Sequence, residues 1–190
     1  MRSEWSFSHL RDYITHKKGF AFKSKDYKTI GIPVVKVTNL TDNSINMNDV
    51  IYVNSEIADA IANVRLCTGD TIITTVGSWA TNPASVVGKT IKVPKEANGA
   101  LLNQNAVIIR PLNQNIDKSF LYYLLKNETF GKYLVASAQG SANQASITLD
   151  DIYTYKAQIP PLSIQKTIAH ILSTLDDKIE LDRKMNQTLE

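Results

Sequence analysis

The stretch IPPLSIQKTIAHILSTLDDKIELDRKMNQTLE, Ile159 to Glu190, decides how the rest of the chain is read. Pro160 and Pro161 remove backbone donors and stop any strand that precedes them. Ser163 is placed to act as an N-cap, although Lys166 is not the Glu or Gln that a capping box requires. Apolar residues then recur at Ile164, Ile168, Ile171, Leu172, Leu175 and Ile179, in steps of three and four. That is the spacing of one helix face and the a/d rhythm of a coiled-coil seam. Asp182 interrupts the stripe, and Leu181, Met185 and Leu189 resume it slightly rotated. A helix from Ser163 to Glu190 would be roughly 42 Å long at about 1.5 Å per residue. No closing signal follows, so the pattern is still running at the last residue. Such a stripe either folds back on its own domain or waits for a second helix.

Working outward, 190 residues leave room for one domain of ordinary size in front of this helix. A 43% hydrophobic content is enough for a real core and excludes a disordered tail. Cys67 is the one cysteine, so no disulfide can form within the chain, and a reducing compartment is expected. His9, His16 and His170 are scattered, without zinc-site spacing. Met1 is followed by polar residues and Trp5, with no apolar run fit for a signal peptide or membrane span. A soluble cytoplasmic protein is expected.

A net charge of +3 is too weak to mark a nucleic-acid binder, but its distribution says more. Residues 1–40 hold eight basic and three acidic side chains, a net of +5, while residues 41–162 and 163–190 each carry a net of −1. Lys17, Lys18, Lys23, Lys25, Lys28 and Lys36 crowd one short region. A solvated loop and a phosphate-contacting edge are both compatible with it.

Along the chain, Trp5 to Tyr13 reads as a short strand or turn, and Gly19 as a bend before two core anchors, Phe20 and Phe22. Ile32 to Val37 reads as a buried strand and Thr38 to Asn43 as a polar turn. A strand at Val50 to Val53 precedes a small helix capped by Asn54 or Ser55, with Ile57, Ile61 and Val64 on one face. Thr71 to Val76, Ser85 to Val93 and Asn105 to Arg110 read as strands between Gly, Pro and Asn breakers. A helix is expected over Asp117 to Lys126, with Asp117 as N-cap, and another over Thr129 to Ala136. Gln139 to Gln144 is expected as a loop. Ile152 to Ile159 alternates as a strand, with Tyr153, Tyr155, Ala157 and Ile159 on one face. Strands mixed with short helices, without a βαβ rhythm, make the fold class α+β: a mixed-β domain over 1–159, then a long coiled-coil-type helix over 160–190.

The C-terminal run PPL-x-x-Q-x-x-I-A-x-I-L-x-x-LDDKIEL-x-RK-x-NQTLE, Pro160 to Glu190, closely resembles the helical spacer region of type I restriction-modification specificity subunits. The domain in front resembles the same family more loosely, through KGFAFKSKDY at Lys18 to Tyr27 and GIPVVKVTNL at Gly31 to Leu40. GDTIITTVGS at Gly69 to Ser78, LNQNAVIIRP at Leu102 to Pro111, LYYLLK at Leu121 to Lys126 and GSANQASIT at Gly140 to Thr148 follow in order. The resemblance implies one target recognition domain, reading one half of a bipartite site in double-stranded DNA, plus one spacer helix. That helix would pair antiparallel with a second and carry the methyltransferase subunit. S-adenosylmethionine would be bound by that partner, and ATP and Mg would serve the restriction and translocation subunit, leaving this chain non-catalytic and without a cofactor. Family members usually carry two such domains and two helices; one set is present here.

The residues themselves agree that chemistry is missing. The one Pro-Pro pair, Pro160-Pro161, is not part of the Asn/Asp-Pro-Pro-aromatic clamp of an adenine methyltransferase. Gly88-Lys89-Thr90 lacks the preceding glycine of a phosphate loop, since position 83 is Pro83. Asp176-Asp177-Lys178 has the shape of a nuclease motif, but on a helix beside Leu175 and Ile179 it reads as a solvated face. What could bind DNA are polar loops, because Asn and Gln can pair with adenine, Ser and Thr with either base type, and Lys with guanine or phosphate. The candidates are Lys36, Thr38 and Asn39; Thr75, Gly77 and Ser78; Asn103, Gln104 and Asn105; and Gly140, Ser141, Asn143 and Gln144. Lys17, Lys18, Lys23 and Lys25 join them as phosphate contacts. Trp79 is a core residue or an exposed stacking platform, and any single Asn or Gln here is alternatively a turn former or a satisfied core amide. The helix stripe Ile164, Ile168, Ile171, Leu172, Leu175, Ile179, Met185 and Leu189 is the candidate surface for a homodimer or for a methyltransferase. Two rivals remain: an interaction protein without DNA affinity, and a metal-dependent DNA endonuclease acting through Asp176 and Asp177.

Overall fold

The structure is a computed structural model that describes residues 5–79, 87–141 and 143–189, with the side chains of Ser6, Lys184 and 187–189 left out. At its centre lies a four-stranded antiparallel sheet in the order β2-β9-β5-β7. Its strands are β2 (Ile14–Lys18), β5 (Thr71–Thr74), β7 (Thr90–Lys92) and β9 (Ala106–Pro111). Alternation along them divides the core. Ile73, Val107 and Ile109 face one side, whereas Ile72, Ile91 and Ile108 face the other.

The first side is covered by helices α2 (Lys118–Lys126), α3 (Glu128–Ser137) and α4 (Leu149–Thr154). Phe120, Leu121, Leu125, Phe130 and Leu134 fill the space between them and the sheet. Asp117 caps α2, its Oδ1 accepting from the N–H groups of Ser119 and Phe120, and Asn127 caps α3 in the same way through Thr129. On the far side lies a smaller sheet of β3 (Ile32–Val35), β4 (Ile51–Val53) and β8 (Leu101–Leu102), ordered β4-β3-β8. It packs with helix α1 (Ser55–Ala60), which Asn54 caps through the Ile57 N–H. Phe22, Val34, Val53, Ala58, Val64 and Leu101 form its core.

Two further pairings matter for the site. β1 (Ser6–His9) runs antiparallel to β12 (Lys156–Ile159), with Ser6 opposite Ile159, and ties the start of the chain to the root of the long helix. β6 (Val76–Gly77), β10 (Gln139–Ser141) and β11 (Gln144–Ser146) form a three-stranded ribbon. The loop expected over Gln139 to Gln144 is therefore a hairpin. Its strands approach so closely at Gly140 that a Cβ there would collide with the Gln144 carbonyl.

Other expectations also change. Ile152 to Ile159 is not one alternating strand. Thr148 and Asp151 make a reciprocal capping box that winds Leu149–Thr154 into α4, so Tyr153 lies on a helix and the strand starts at Lys156. Phe22 is buried but Phe20 is not. The strand expected from Ser85 starts outside the described residues, and its described part is β7. The long helix α5 spans Leu162–Leu189, one residue earlier than expected. The Pro161 carbonyl accepts from the N–H groups of both Ile164 and Gln165, which places Ser163 inside the first turn rather than at the cap. Among the described residues, no helix is long and apolar enough to cross a membrane.

Candidate nucleic-acid interface

The polar loops singled out from composition are knitted together by main-chain hydrogen bonds. β2 delivers Lys17 and Lys18, both exposed, to the sheet edge. Beyond them the Gly19 N–H donates to the Ala106 carbonyl at 3.0 Å and the Phe20 N–H to the Leu102 carbonyl at 2.9 Å. The Gln104 N–H returns to the Phe20 carbonyl at 2.9 Å. Gly19 lies so close to the Asn103 carbonyl that no Cβ would fit. Lys17 to Phe20 and Asn103 to Asn105 are thus one unit.

Asn105 extends it. It sits at φ 72°, a left-handed conformation that Asn tolerates, and its carbonyl accepts from both Thr75 (2.8 Å) and Val76 (3.2 Å). The Thr75 carbonyl accepts from Ile147 at 2.9 Å, and Gly77 pairs with Ala145. Trp79 is half-buried and donates its indole N–H to the Ser141 carbonyl at 2.7 Å, clamping the ribbon to this loop. At the other end the Asn103 N–H donates to the Val35 carbonyl at 2.8 Å and brings Lys36 alongside. Four loops far apart in sequence therefore form a continuous strip.

Along the strip Lys17, Lys18, Thr38, Gln104, Asn105, Gly140, Ser141, Asn143 and Gln144 are exposed, while Lys36, Thr75, Gly77 and Ser78 are half-buried. Two amides are withdrawn from it. Asn39 is only 4% exposed; its Oδ1 accepts from the Lys36 N–H at 2.8 Å and its Nδ2 donates to the Asp49 carbonyl at 3.3 Å. Asn103 is 8% exposed and its Oδ1 accepts from the Gln104 N–H at 2.6 Å. Both serve the loops that hold them, and burial leaves neither side chain at the surface of the strip. Lys23 and Lys25 are exposed on the next turn, Ser24–Asp26, whose described main-chain hydrogen bonds stay within it. His16, beside Lys17 on β2 and opposite Ile109 of β9, has Nδ1 at 2.5 Å from the Tyr153 hydroxyl. Burial, then the charges of Lys18 and Lys17, push its pKa down, so at neutral pH the strand carries its charge on the lysines.

A second arrangement roots α5. Gln165 is completely buried: Oε1 accepts from the Asp117 N–H at 2.8 Å, and Nε2 donates to the carbonyls of Asn115 (3.0 Å) and Pro160 (2.9 Å). The helix is thereby fixed to the cap of α2. Ala169 is buried behind it, and the Tyr123 hydroxyl donates to Asp176 Oδ2 at 2.8 Å. The Lys92 ammonium lies over the rings of Tyr122 and Tyr123, at 5.5 and 5.7 Å. Asp176 is thus a hydrogen-bonded anchor rather than part of a purely solvated face. Ile168 and Leu172 are half-buried, whereas Ile164, Ile171, Leu175, Ile179, Leu181 and Met185 are exposed. The Leu189 side chain lies outside the described ones.

A charged cluster joined to α2 through Lys118 has no signature in residue spacing. Asp70 is buried at the start of β5, where Arg110 and Lys118 (2.9 Å) both pair with it and the Cys67 N–H donates at 2.9 Å. Burial alone would raise its pKa, but the hydrogen bonds from Arg110, Lys118 and Cys67 outweigh it and hold the carboxyl below its ordinary value.

The mixed-sheet domain with its outgoing helix has a fold shared with known proteins. Residues 2–190 match the family of type I restriction modification DNA specificity domains, and the chain belongs to that family. It is 26% identical over 189 residues to the type I restriction enzyme MjaVIII specificity subunit of Methanocaldococcus jannaschii, covering 98% of this chain and 43% of that one. The HindI specificity subunit of Haemophilus influenzae is 31% identical over 104 residues, 54% of this chain and 23% of its own. The fold of this chain is similar to that of the type I restriction-modification S subunit from M. genitalium, with a TM-score of 0.63 and 16% identity over 94% of this chain and 41% of that one. The HsdS subunit from Thermoanaerobacter tengcongensis gives 0.64 and 17%, over 97% and 40%. The chain spans about two fifths of the length of the MjaVIII, M. genitalium and Thermoanaerobacter tengcongensis proteins.

Proposed function

We propose that this chain is a DNA-sequence-recognition module of a type I restriction-modification system, reading one half of a bipartite site. The observation that carries this is the strip: four polar loops held rigid by main-chain hydrogen bonds, with Lys17 and Lys18 at its edge. Lysines there neutralise phosphates and fix the register, while Gln104, Asn105, Ser141, Asn143 and Gln144 are available to base edges. The chain acts without catalysing, in the cytoplasm. Methyl transfer from S-adenosylmethionine belongs to a methyltransferase partner, and ATP- and Mg-dependent translocation and cleavage to a third subunit.

The exposed stripe of α5 supports the second half of the proposal. Two copies pair antiparallel through Ile164, Ile171, Leu175 and Ile179 about a two-fold axis, placing one recognition domain at each end. Such a pair reads an inverted-repeat site with a fixed gap, and a methyltransferase subunit docks on the same helices. The test is binding to randomised duplexes at low salt, by the chain alone and with a methyltransferase subunit, followed by sequencing of the retained fraction. Recovery of a half-site motif, twice and inverted at constant spacing, supports the whole proposal. Absence of any duplex binding in either form sinks it.

A further inference from the structure

We propose that Phe20 is a base-contacting residue that determines specificity at the centre of the strip; this rests on the DNA-recognition reading above. Phe20 and Phe22 are separated by one residue and meet edge to face, with ring centroids 5.1 Å apart. Their surroundings are opposite. Phe22 is buried with Val34 and Val53, whereas Phe20 is 40% exposed and belongs to none of the buried clusters. One exposed aromatic ring is ordinary on a protein surface. This one is held in a way that ordinary exposure does not need.

Its backbone is fixed on both sides. The Phe20 N–H and carbonyl are both spent on the Leu102–Gln104 segment, and Gly19 leaves no slack against the Asn103 carbonyl. These two main-chain hydrogen bonds fix the direction in which the ring leaves the backbone. It is displayed from a rigid platform, which lowers the entropy lost when it meets a partner.

The neighbours identify that partner. Lys17 and Lys18 precede Phe20, Lys23 and Lys25 follow it, and the only acidic residue from 17 to 26 is Asp26. Exposed Gln104 is bonded to the Phe20 carbonyl itself. This surface is complementary to a polyanion that carries apolar edges between its charges, which is duplex DNA. The lysines suit phosphates and Gln104 suits a base edge. The Phe20 ring suits neither charge nor hydrogen bond, and matches the apolar part of a base such as the thymine methyl group.

The experiment uses the full chain, in whichever form binds, with a duplex selected from a random pool and a shuffled duplex of equal composition. Phe20→Ala, Phe20→Leu and Lys18→Ala are compared with wild type, with thermal unfolding recorded for each. Phe20→Ala is expected to lose about tenfold on the selected duplex and less than twofold on the shuffled one. Phe20→Leu should fall between wild type and Phe20→Ala, and it carries the test if the alanine variant fails to fold. Lys18→Ala should weaken both duplexes alike. A folded Phe20 variant that keeps wild-type affinity and preference, or loses equally on both duplexes, overturns the proposal. Failure of the wild type to bind any duplex overturns instead the DNA reading on which it stands.

Discussion

Both halves of α5 leave apolar side chains in solvent, but only the first is also anchored to the domain, through another face. In the first, Gln165 and Ala169 are buried and Asp176 accepts from Tyr123, so the helix is a part of the domain. In the second, Ile179, Leu181 and Met185 are exposed, and Leu175 at the junction already faces solvent. The difference lies in which face meets the domain. Gln165, Ala169, Leu172 and Asp176 follow one another at i, i+4, i+7 and i+11, forming a stripe beside the Ile164-Ile171-Leu175 stripe rather than on it. The domain takes the mixed polar face and leaves the apolar one open. An apolar stripe that its own domain does not cover is what a partner helix would fill.

The largest effect expected from this contrast is on association. Burying a Leu or Ile contributes about 1.5–3 kcal/mol, and a two-fold pair buries each stripe residue twice. The double variant Leu175→Asp, Ile179→Asp is therefore expected to abolish self-association at concentrations where the wild type sediments as a dimer. Because both side chains are exposed, folding stability should change by no more than about 0.5 kcal/mol. A wild type that stays monomeric at high micromolar concentration would break the proposed pairing.

On the anchored side the largest effect belongs to Asp70. It joins β5 to Arg110 of β9 and Lys118 of α2, the helix whose cap holds Gln165. Asp70→Ala leaves two cations without their partner and is expected to cost about 3 kcal/mol, lowering Tm by roughly 6–12 °C. The pH dependence has a definite sign. The folded pKa lies below the ordinary 3.8, so the stabilisation is fully present above that value and is lost as pH falls through the lowered one. The gap in urea midpoint between wild type and Asp70→Asn should therefore narrow in acid. A gap that widens there would show that the carboxylate is not what holds the cluster.

Gln165→Ala comes next. It leaves the Asp117 N–H and two carbonyls without their partner at a fully buried position, at a cost of about 2 kcal/mol by thermal unfolding. If association survives in this variant while stability drops, the two faces of the helix are independent.

Much of this was readable from the sequence because it depends on local chemistry. Asp117 and Asn54 cap the helices they precede, and the apolar rhythm after Pro161 is a helix whose ends fall within a residue of the expected ones. The failures share a cause. Alternation over Ile152 to Ile159 predicts a strand, but the Thr148–Asp151 box outweighs it four residues earlier. Asn39 and Asn103 resemble the other loop amides in type and spacing, and only the approach of Asp49 and Val35 from elsewhere in the chain buries them. Phe20 differs from Phe22 through the same kind of long-range contact, with Leu102 and Gln104. Asp70 could not be singled out, since its partners lie 40 and 48 residues downstream, at Arg110 and Lys118. What the comparisons add is the family, over residues 2–190, in agreement with the resemblance of the C-terminal run.

The smallest effect probes where the anchored half of α5 ends. The Tyr123 hydroxyl reaches Asp176 in the fourth turn of the helix, eleven residues beyond Gln165, and the bond is exposed. Removing it with Tyr123→Phe is expected to cost about 1 kcal/mol or less. Burial, and then Asp176, raise the phenol above its ordinary value of 10. Its contribution is therefore present below pH 10 and is lost as pH rises through the raised value, a dependence that the phenylalanine variant should lack. Amide hydrogen exchange localises the effect. With Gln165 intact, amides over 162–170 should keep their protection, and those from Asp176 onward should exchange several-fold faster. Equal acceleration along the whole helix would mean that Tyr123 holds the root as well, and that the boundary between the two halves lies nearer the domain than the buried side chains place it.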